Sequence, residues 1–294
     1  MRLQRTIKKE ITFGGIGLHT GKYATVRLKP APVDTGVIFF RSDKNALMRS
    51  SVNYVVDTAF ATTIGFNGVK IRTVEHLLAA LSGLGIDNII IEVDGPEIPI
   101  LDGSSTHLVG IILDAGIAKQ GKKLPYVKIL RPVVYEDAHS RILALPCETT
   151  RISCYINFHD NLIGQQEMTI DLDENSFISE LAPARTFGFL RDVEKLRAKG
   201  LARGGSLDNA VIVGDNGIIN KSGLRFNDEF VRHKILDSIG DISLLGFPIQ
   251  GHIIFEKSGH TANINFLKKL FASIDCYQLV SDVDHLSRHV SNYS

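Results

Sequence analysis

Residues 232–241 read RHKILDSIGD, with His233, Asp237 and Asp241 spaced four apart among Ile235, Leu236 and Ile239. On an α-helix a step of four residues turns about 400°, so the three polar groups drift only ~40° per step and share one face. A polar stripe between apolar residues on a buried helix must be satisfied by something. His and Asp at i, i+4 have the spacing by which one helix offers two metal ligands, as in HExxH zinc sites. A third ligand must come from elsewhere. The competing reading is an ordinary hydrogen-bonded pair, with Arg232 and Lys234 neutralising Asp237 and Asp241 as surface ion pairs worth little.

The elements that must position these groups point to the third ligand. Residues 11–13, 24–28 and 36–40 alternate as strands do, with Gly- or Pro-rich turns between them. TVEHLLAALSGL (73–84) reads as a helix stopped by Gly85, followed by a β-branched strand at 88–93, the loop DGPEIPILDGSS and a helix at 107–115. QGKKLP (120–125) is short, polar and helix-breaking, which places a domain boundary there and gives domains 1–122 and 126–294. The second half repeats the plan. VKILRPVVYED, RILALP and TRISCYINF read as strands, 228–245 as a helix, 251–255 as a strand, KSGH as a loop and 264–273 as a helix. Laid side by side, EHLLAALSGLGIDNIIIEVDG and RHKILDSIGDISLLGFPIQGHIIFEKSG agree in order of elements, and His76 falls where His233 falls. This is the pattern of an old duplication. Two copies facing each other would bring equivalent helices together and create a place for a shared site.

His76 is then the natural third ligand. Alone it would be read as a satisfied core histidine; the duplication is what sets it opposite His233. Two histidines and one carboxylate leave an open position on zinc, the arrangement of catalytic sites. Water is acidified at such a site, and Glu75, beside His76, is placed to take its proton. Other clusters are weaker. His159-Asp160 has no partner histidines at useful spacing, and Asp282, Asp284 and His285 read as a solvated tail. GGIGLHTG (14–21) and GGSLDNAVIVG (204–214) lack the spacing of phosphate-binding loops, so the first is read as a hairpin turn that approaches a ligand at most.

Composition excludes more than it identifies. The 294 residues favour two domains, and a net charge of +1 gives no reason to propose nucleic acid as a partner. Cys147, Cys154 and Cys276 form no CxxC pair and suit a reducing compartment. The basic N-terminus has no apolar core behind it, and no stretch is long and apolar enough to span a bilayer. A cytoplasmic protein is expected, at most peripheral to a membrane.

TVEH (73–76), LDGSS (101–105), ARTFGF (184–189), GGSLDNAVI (204–212), RHKILDSIGD (232–241) and KSGH (257–260) occur together. In that order they resemble the UDP-3-O-acyl-N-acetylglucosamine deacetylases, zinc enzymes of the committed step of lipid A synthesis in Gram-negative bacteria. The resemblance covers nearly the whole chain. It implies an α+β fold of two duplicated two-layer sandwich domains, β-α-α-β, with their helices packed face to face. A small helical and strand insert at about 187–213 in the second domain would form an apolar passage for the acyl chain. By position it implies His76, His233 and Asp237 as ligands of Zn2+, Glu75 as general base and His260 as general acid. Asp241 would orient His260, and Thr186 would help stabilise the oxyanion. Substrate contacts would come from Lys234 at the sugar and phosphate, Asn157 and Phe158 at the uridine, and Phe187, Leu190, Ala202, Gly205 and Ile212 around the insert, with Val193 and Leu196 as further acyl-chain liners. The partner implied is an acylated UDP-amino sugar, with no protein needed for the chemistry. One rival is a zinc amidohydrolase acting on a non-acylated N-acetyl sugar nucleotide. Another is a non-catalytic sugar-nucleotide module with a structural metal, which would have no need of a free acid and base.

Overall fold

The structure, a computed structural model, describes residues 1–158 and 162–281; His159, Asp160, Asp282, Asp284 and His285 lie outside the described residues. The first half runs β1 (Leu3–Ile7), β2 (Ile11–Ile16), β3 (Tyr23–Pro30), β4 (Val37–Arg41), β5 (Ala46–Arg49), β6 (Val55–Asp57), β7 (Thr63–Phe66), β8 (Val69–Ile71), α1 (Glu75–Gly83), β9 (Ile89–Val93), α2 (Thr106–Ala115) and β10 (Ile117–Lys123). The second half runs β11 (Tyr126–Ile129), β12 (Val133–Glu136), β13 (Arg141–Leu145), β14 (Thr150–Asn157), β15 (Gln165–Asp171), the single turn α3 (Glu174–Ser176), β16 (Phe187–Phe189), α4 (Leu190–Ala198), β17 (Val211–Gly214), β18 (Gly217–Ile218), α5 (Glu229–Ile242), β19 (Ile249–Glu256), α6 (His260–Ala272) and β20 (Tyr277–Val280). The chain is of mixed α+β class, as expected.

The two halves share one plan, strand for strand. The first sheet has the order β2-β3-β9-β4-β5, with β9 antiparallel to β3 and parallel to β4. In the second, β12 pairs β13, β13 pairs β19 antiparallel, β19 pairs β14 parallel, and β14 pairs β15. β11 and β20 extend that sheet from the end of β19. Each half also inserts a three-stranded sheet between its fifth strand and its first long helix, β6-β7-β8 in one and β16-β17-β18 in the other. The sequence pattern revealed only the second insert. The first is built from strands of three and four residues, too short to show a period.

The helices cover one face of each sheet, and α1 lies against α5. Both are buried almost all round, and Ile235, Leu236 and Ile239 are fully enclosed on α5. Burying each of those side chains contributes about 1.5–3 kcal/mol. Gly83 and Gly240 occupy equivalent places in the two helices. A methyl on Gly240 would sit 2.1 Å from the Glu75 carbonyl oxygen, and one on Gly83 would meet the Phe177 ring at 2.3 Å. The glycine on α5 therefore lets that helix approach the backbone of α1 at Glu75.

One local feature adds detail and one expectation needs correction. Residues 120–123 belong to β10, which pairs antiparallel with β1; their polar character suits an exposed strand, and Leu124 and Pro125 alone separate β10 from β11. Helix α6 begins at His260, four residues before the expected start. Gly259 is extended at its N-cap, and the apolar pattern that follows, Ala262, Ile264, Phe266, Leu267 and Leu270, is buried. The three cysteines are free. No helix among the described residues is long and apolar enough to cross a membrane.

Candidate active site

α1 and α5 bring His76, His233 and Asp237 together, with one potential ligand atom from each lying within 4.8 Å of the others. His76 Nε2 is 3.5 Å and His233 Nε2 3.3 Å from Asp237 Oδ1. The two imidazoles meet edge to face, ring centres 5.0 Å apart. His233 donates its Nδ1–H to the Ala184 carbonyl at 3.1 Å, which leaves the Nε2 lone pair facing Asp237. Such a second hydrogen bond is the usual way a protein fixes a ligating histidine. Burial pulls the His233 pKa down to about 4 despite Asp237, so the ring is neutral. Burial acts to raise Asp237, but His233, Lys234 and a hydrogen bond from His76 hold it well below the usual carboxylate range. Neutral imidazoles and an ionised carboxylate are what a divalent metal requires. The buried Nδ1 of His76 finds no hydrogen-bond partner among the described residues. Two nitrogens and one oxygen fit zinc and leave room for substrate.

Glu75 and His260 flank this cluster. The Glu75 carboxylate accepts the Thr62 N–H at 3.0 Å. Burial pushes its pKa up to about 7, with His260 and His76 opposing. His260 heads α6 and donates Nδ1–H to Asp241 Oδ2 at 2.8 Å. Burial acts to lower its pKa, but Asp241, through charge and hydrogen bond, and then Glu75 and Asp237 raise it to about 9. Asp241 is wholly buried and accepts two further bonds, from Thr62 Oγ1 at 2.5 Å and Asn263 Nδ2 at 2.8 Å. The polar stripe of α5 is thus satisfied in two sections, Asp237 among the histidines and Asp241 behind His260.

Thr62 and Asn263 were not foreseen. Asn263 lies three residues after His260, which is one helical face, but the late start expected for α6 hid that relation. Thr62, in the first insert, carried no signal.

The remaining expected residues surround the cluster unevenly. Thr186 stands between two residues that touch His233: Ala184 through its carbonyl and Phe187 at 6.2 Å between ring centres. Its backbone bonds Gly103 and Val211 at 2.7 and 2.8 Å. Lys234 reaches Asp237 Oδ2 at 2.8 Å and lies 6.0 Å over the Phe187 ring. Phe158 packs on Phe187 and Phe189 at 5.6 and 6.0 Å. Asn157 ends β14 opposite Gln165. Leu190 is 51% exposed, whereas Val193 and Leu196 on the same helix are half-buried, where α4 packs against β16 and β17. Ile212 lies in the insert sheet opposite Gly188. Ala202 and Gly205 lie instead on a strap against the first half. Gly204 N–H bonds the Leu18 carbonyl at 3.0 Å, Arg203 N–H bonds that of His19 at 3.2 Å, and Ala202 N–H bonds His19 Nδ1 at 3.4 Å. The GGIGLHTG hairpin therefore meets protein along this edge. A cleft of about 520 Å³ opens beside His260, lined among others by Thr58, Phe60, His139, Ser140 and Thr261.

Comparison with known proteins points to one family. The sequence profile of the UDP-3-O-acyl N-acetylglycosamine deacetylase family matches residues 4–272. A protein of Thermodesulfovibrio yellowstonii named UDP-3-O-acyl-N-acetylglucosamine deacetylase is 52% identical over 282 residues, 96% of this chain and 96% of the relative. Proteins of the same name from Syntrophotalea carbinolica and Myxococcus xanthus are each 46% identical, over 95% and 94% of this chain and 91% and 89% of their own lengths.

Proposed function

The chain belongs to the UDP-3-O-acyl N-acetylglycosamine deacetylase family, and from that premise we propose that it hydrolyses the N-acetyl group of a UDP-3-O-acyl-N-acetylglucosamine, releasing acetate and the free amine. The observation that carries the reading is the buried His76–His233–Asp237 group with a carboxylate and an imidazole beside it. These three residues would hold Zn2+, which supplies a Lewis acid to polarise the amide carbonyl and acidify water.

The protein's own groups divide the remaining work. Glu75, with its pKa near neutrality, takes a proton from the attacking water. The Thr186 hydroxyl supports charge developing on the carbonyl oxygen. His260, protonated and held through Nδ1 by Asp241, delivers a proton to the departing amine, a poor leaving group without it. Lys234 brings a fixed positive charge to the sugar and phosphate. Asn157 and Phe158 contact the uridine, while Phe187, Leu190, Ala202, Gly205 and Ile212 contribute substrate contacts around the insert. In this reading the chain has two domains, 1–122 and 126–294. It works in the cytoplasm, at most peripheral to the inner membrane, at the committed step of lipid A synthesis in a Gram-negative bacterium.

The test is to incubate the purified, zinc-loaded protein with the acylated sugar nucleotide and measure acetate. Stoichiometric release of acetate and amine supports the reading. Metal binding without turnover would leave a binding module, and equal kcat/KM for the unacylated sugar nucleotide would favour a simpler deacetylase.

A further inference from the structure

The loop DGPEIPILDGSS holds a carboxylate that the mechanism above does not use. Glu97 is completely buried. Its Oε1 accepts the His19 N–H at 2.9 Å and the Thr73 hydroxyl at 2.8 Å, and its Oε2 accepts the Thr20 N–H at 2.7 Å. A methyl on Gly17 would come 2.4 Å from Oε2, so this glycine is what lets the GGIGLHTG hairpin close over the carboxylate. A polar side chain so enclosed is tolerated only because these donors surround it.

Its partner Thr73 is the telling residue. Thr73 has φ of +57°, a left-handed conformation that a β-branched side chain strongly disfavours. Such a backbone persists only where its surroundings enforce it. Thr73 stands two residues before Glu75, at the entrance to α1. The next N–H, of Val74, bonds the Thr62 carbonyl at 3.2 Å, and the Thr62 N–H in turn bonds Glu75 Oε2 at 3.0 Å. The left-handed turn therefore sets the approach of α1 and the place of the Glu75 carboxylate against Thr62.

We infer that Glu97 is a positioning residue for Glu75: by gripping the Thr73 hydroxyl it holds the strained turn from which the general base projects. The inference rests on the deacetylase reading for its kinetic consequences and not for its structural one. Thr73→Val keeps the β-branched shape and the strain but removes the hydroxyl. Glu97→Gln replaces one acceptor oxygen with a donor facing donors. Thr73→Ser keeps the bond. In zinc-loaded protein, Thr73→Val and Glu97→Gln should each lose about tenfold to a hundredfold in kcat for acetate release, the scale of a small misplacement of a catalytic group. KM and metal content should stay within twofold of wild type, and Thr73→Ser should retain wild-type kcat within twofold. Amide hydrogen exchange at Thr62, which donates to Glu75, should quicken about tenfold in the first two variants and not in Thr73→Ser, as expected where a local bond is released. Unchanged kcat and unchanged Thr62 exchange in Thr73→Val would overturn the inference, as would a Thr73→Ser variant as impaired as Thr73→Val. If wild-type protein released no acetate, the deacetylase reading would fail, while exchange at Thr62 would still decide the role of Glu97.

Discussion

Asp241→Asn removes the charge behind His260 while keeping the side chain's size. The rise of His260 from 6.5 to about 9 corresponds to on the order of 3 kcal/mol in favour of the imidazolium. Burial opposes that rise, so without the Asp241 charge the ring should fall back by at least one pH unit, with Glu75 and Asp237 preventing a full collapse. The variant should therefore lose the basic limb of its pH–rate profile at lower pH, by one to two units, and lose about twofold to tenfold in kcat near pH 8 as His260 gives up its proton. Stability should change with a definite sign. A group raised from 6.5 to about 9 adds stability that is complete below pH 6.5 and disappears as the pH rises through about 9. The gap between wild type and variant should be widest below pH 6.5 and narrow by about pH 9, on top of about 1–3 kcal/mol for a donor left without its acceptor. Acetate release from about pH 5 to about pH 10, metal analysis and thermal melts read all three effects. An unmoved basic limb would refute the assignment of His260 as the acid. Loss of zinc with an unmoved limb would show that Asp241 serves the metal instead.

The other outcomes are simpler. In metal-free protein Glu75→Gln should stabilise the fold by up to about 3 kcal/mol above pH 7 and by nothing below pH 4.5, because ionising a carboxyl raised from 4.5 to about 7 costs the native state that much; thermal melts across pH check the window, and a gain independent of pH would contradict it. His76→Ala and His233→Ala should each lose most bound zinc and all acetate release, measured by metal analysis on folded protein, and full retention in the double variant would sink the ligand set. Ile212→Trp should abolish most of the preference for acylated over unacylated substrate while zinc and folding persist. Each buried methylene contributes about 0.8 kcal/mol, so blocking a few should cost about a hundredfold in that kcat/KM ratio. Ala202 is a poorer position for this test, because φ there is +51° and a large side chain adds strain of its own.

What was legible in the sequence followed from periodicity. His233, Asp237 and Asp241 lie on one turn-repeat of a helix, and the repeated order of elements carried His76 to the same place on the other helix. The matching sheet orders, with β9 and β19 each antiparallel to one neighbour and parallel to the other, supply the architecture that this repeat required. What escaped was built by contacts without a period. Thr62 reaches Asp241 across 179 positions, and nothing in ATTIG announces it. Asn263 escapes because the glycine in KSGH reads as loop in the sequence, whereas Gly259 caps the helix and starts it at His260.

In the proposed reaction, the repeat also accounts for how one fold would supply both an acid and a base. Aligning His76 with His233 and Gly83 with Gly240 sets Asp237 against Ala80, Asp241 against Leu84, and Glu75 against Arg232. The histidines are thus inherited by both helices, but each carboxylate belongs to one. Arg232 has been turned away from the site to Asp228 and Glu180, at 2.6 Å from each. A symmetric interface would face like groups with like and shift their pKa values together. Here α1 carries a carboxyl that burial raises to about 7, and α5 carries the aspartate that helps lift His260 to about 9. Between those two values the proposed base, Glu75, is ionised while the proposed acid, His260, still holds its proton, which is the state that amide hydrolysis would consume. Because the groups lie in each other's field, the limits of that window belong to the pair. Widening or closing it therefore requires breaking the asymmetry itself, at Asp241 on one helix or at Glu75 on the other.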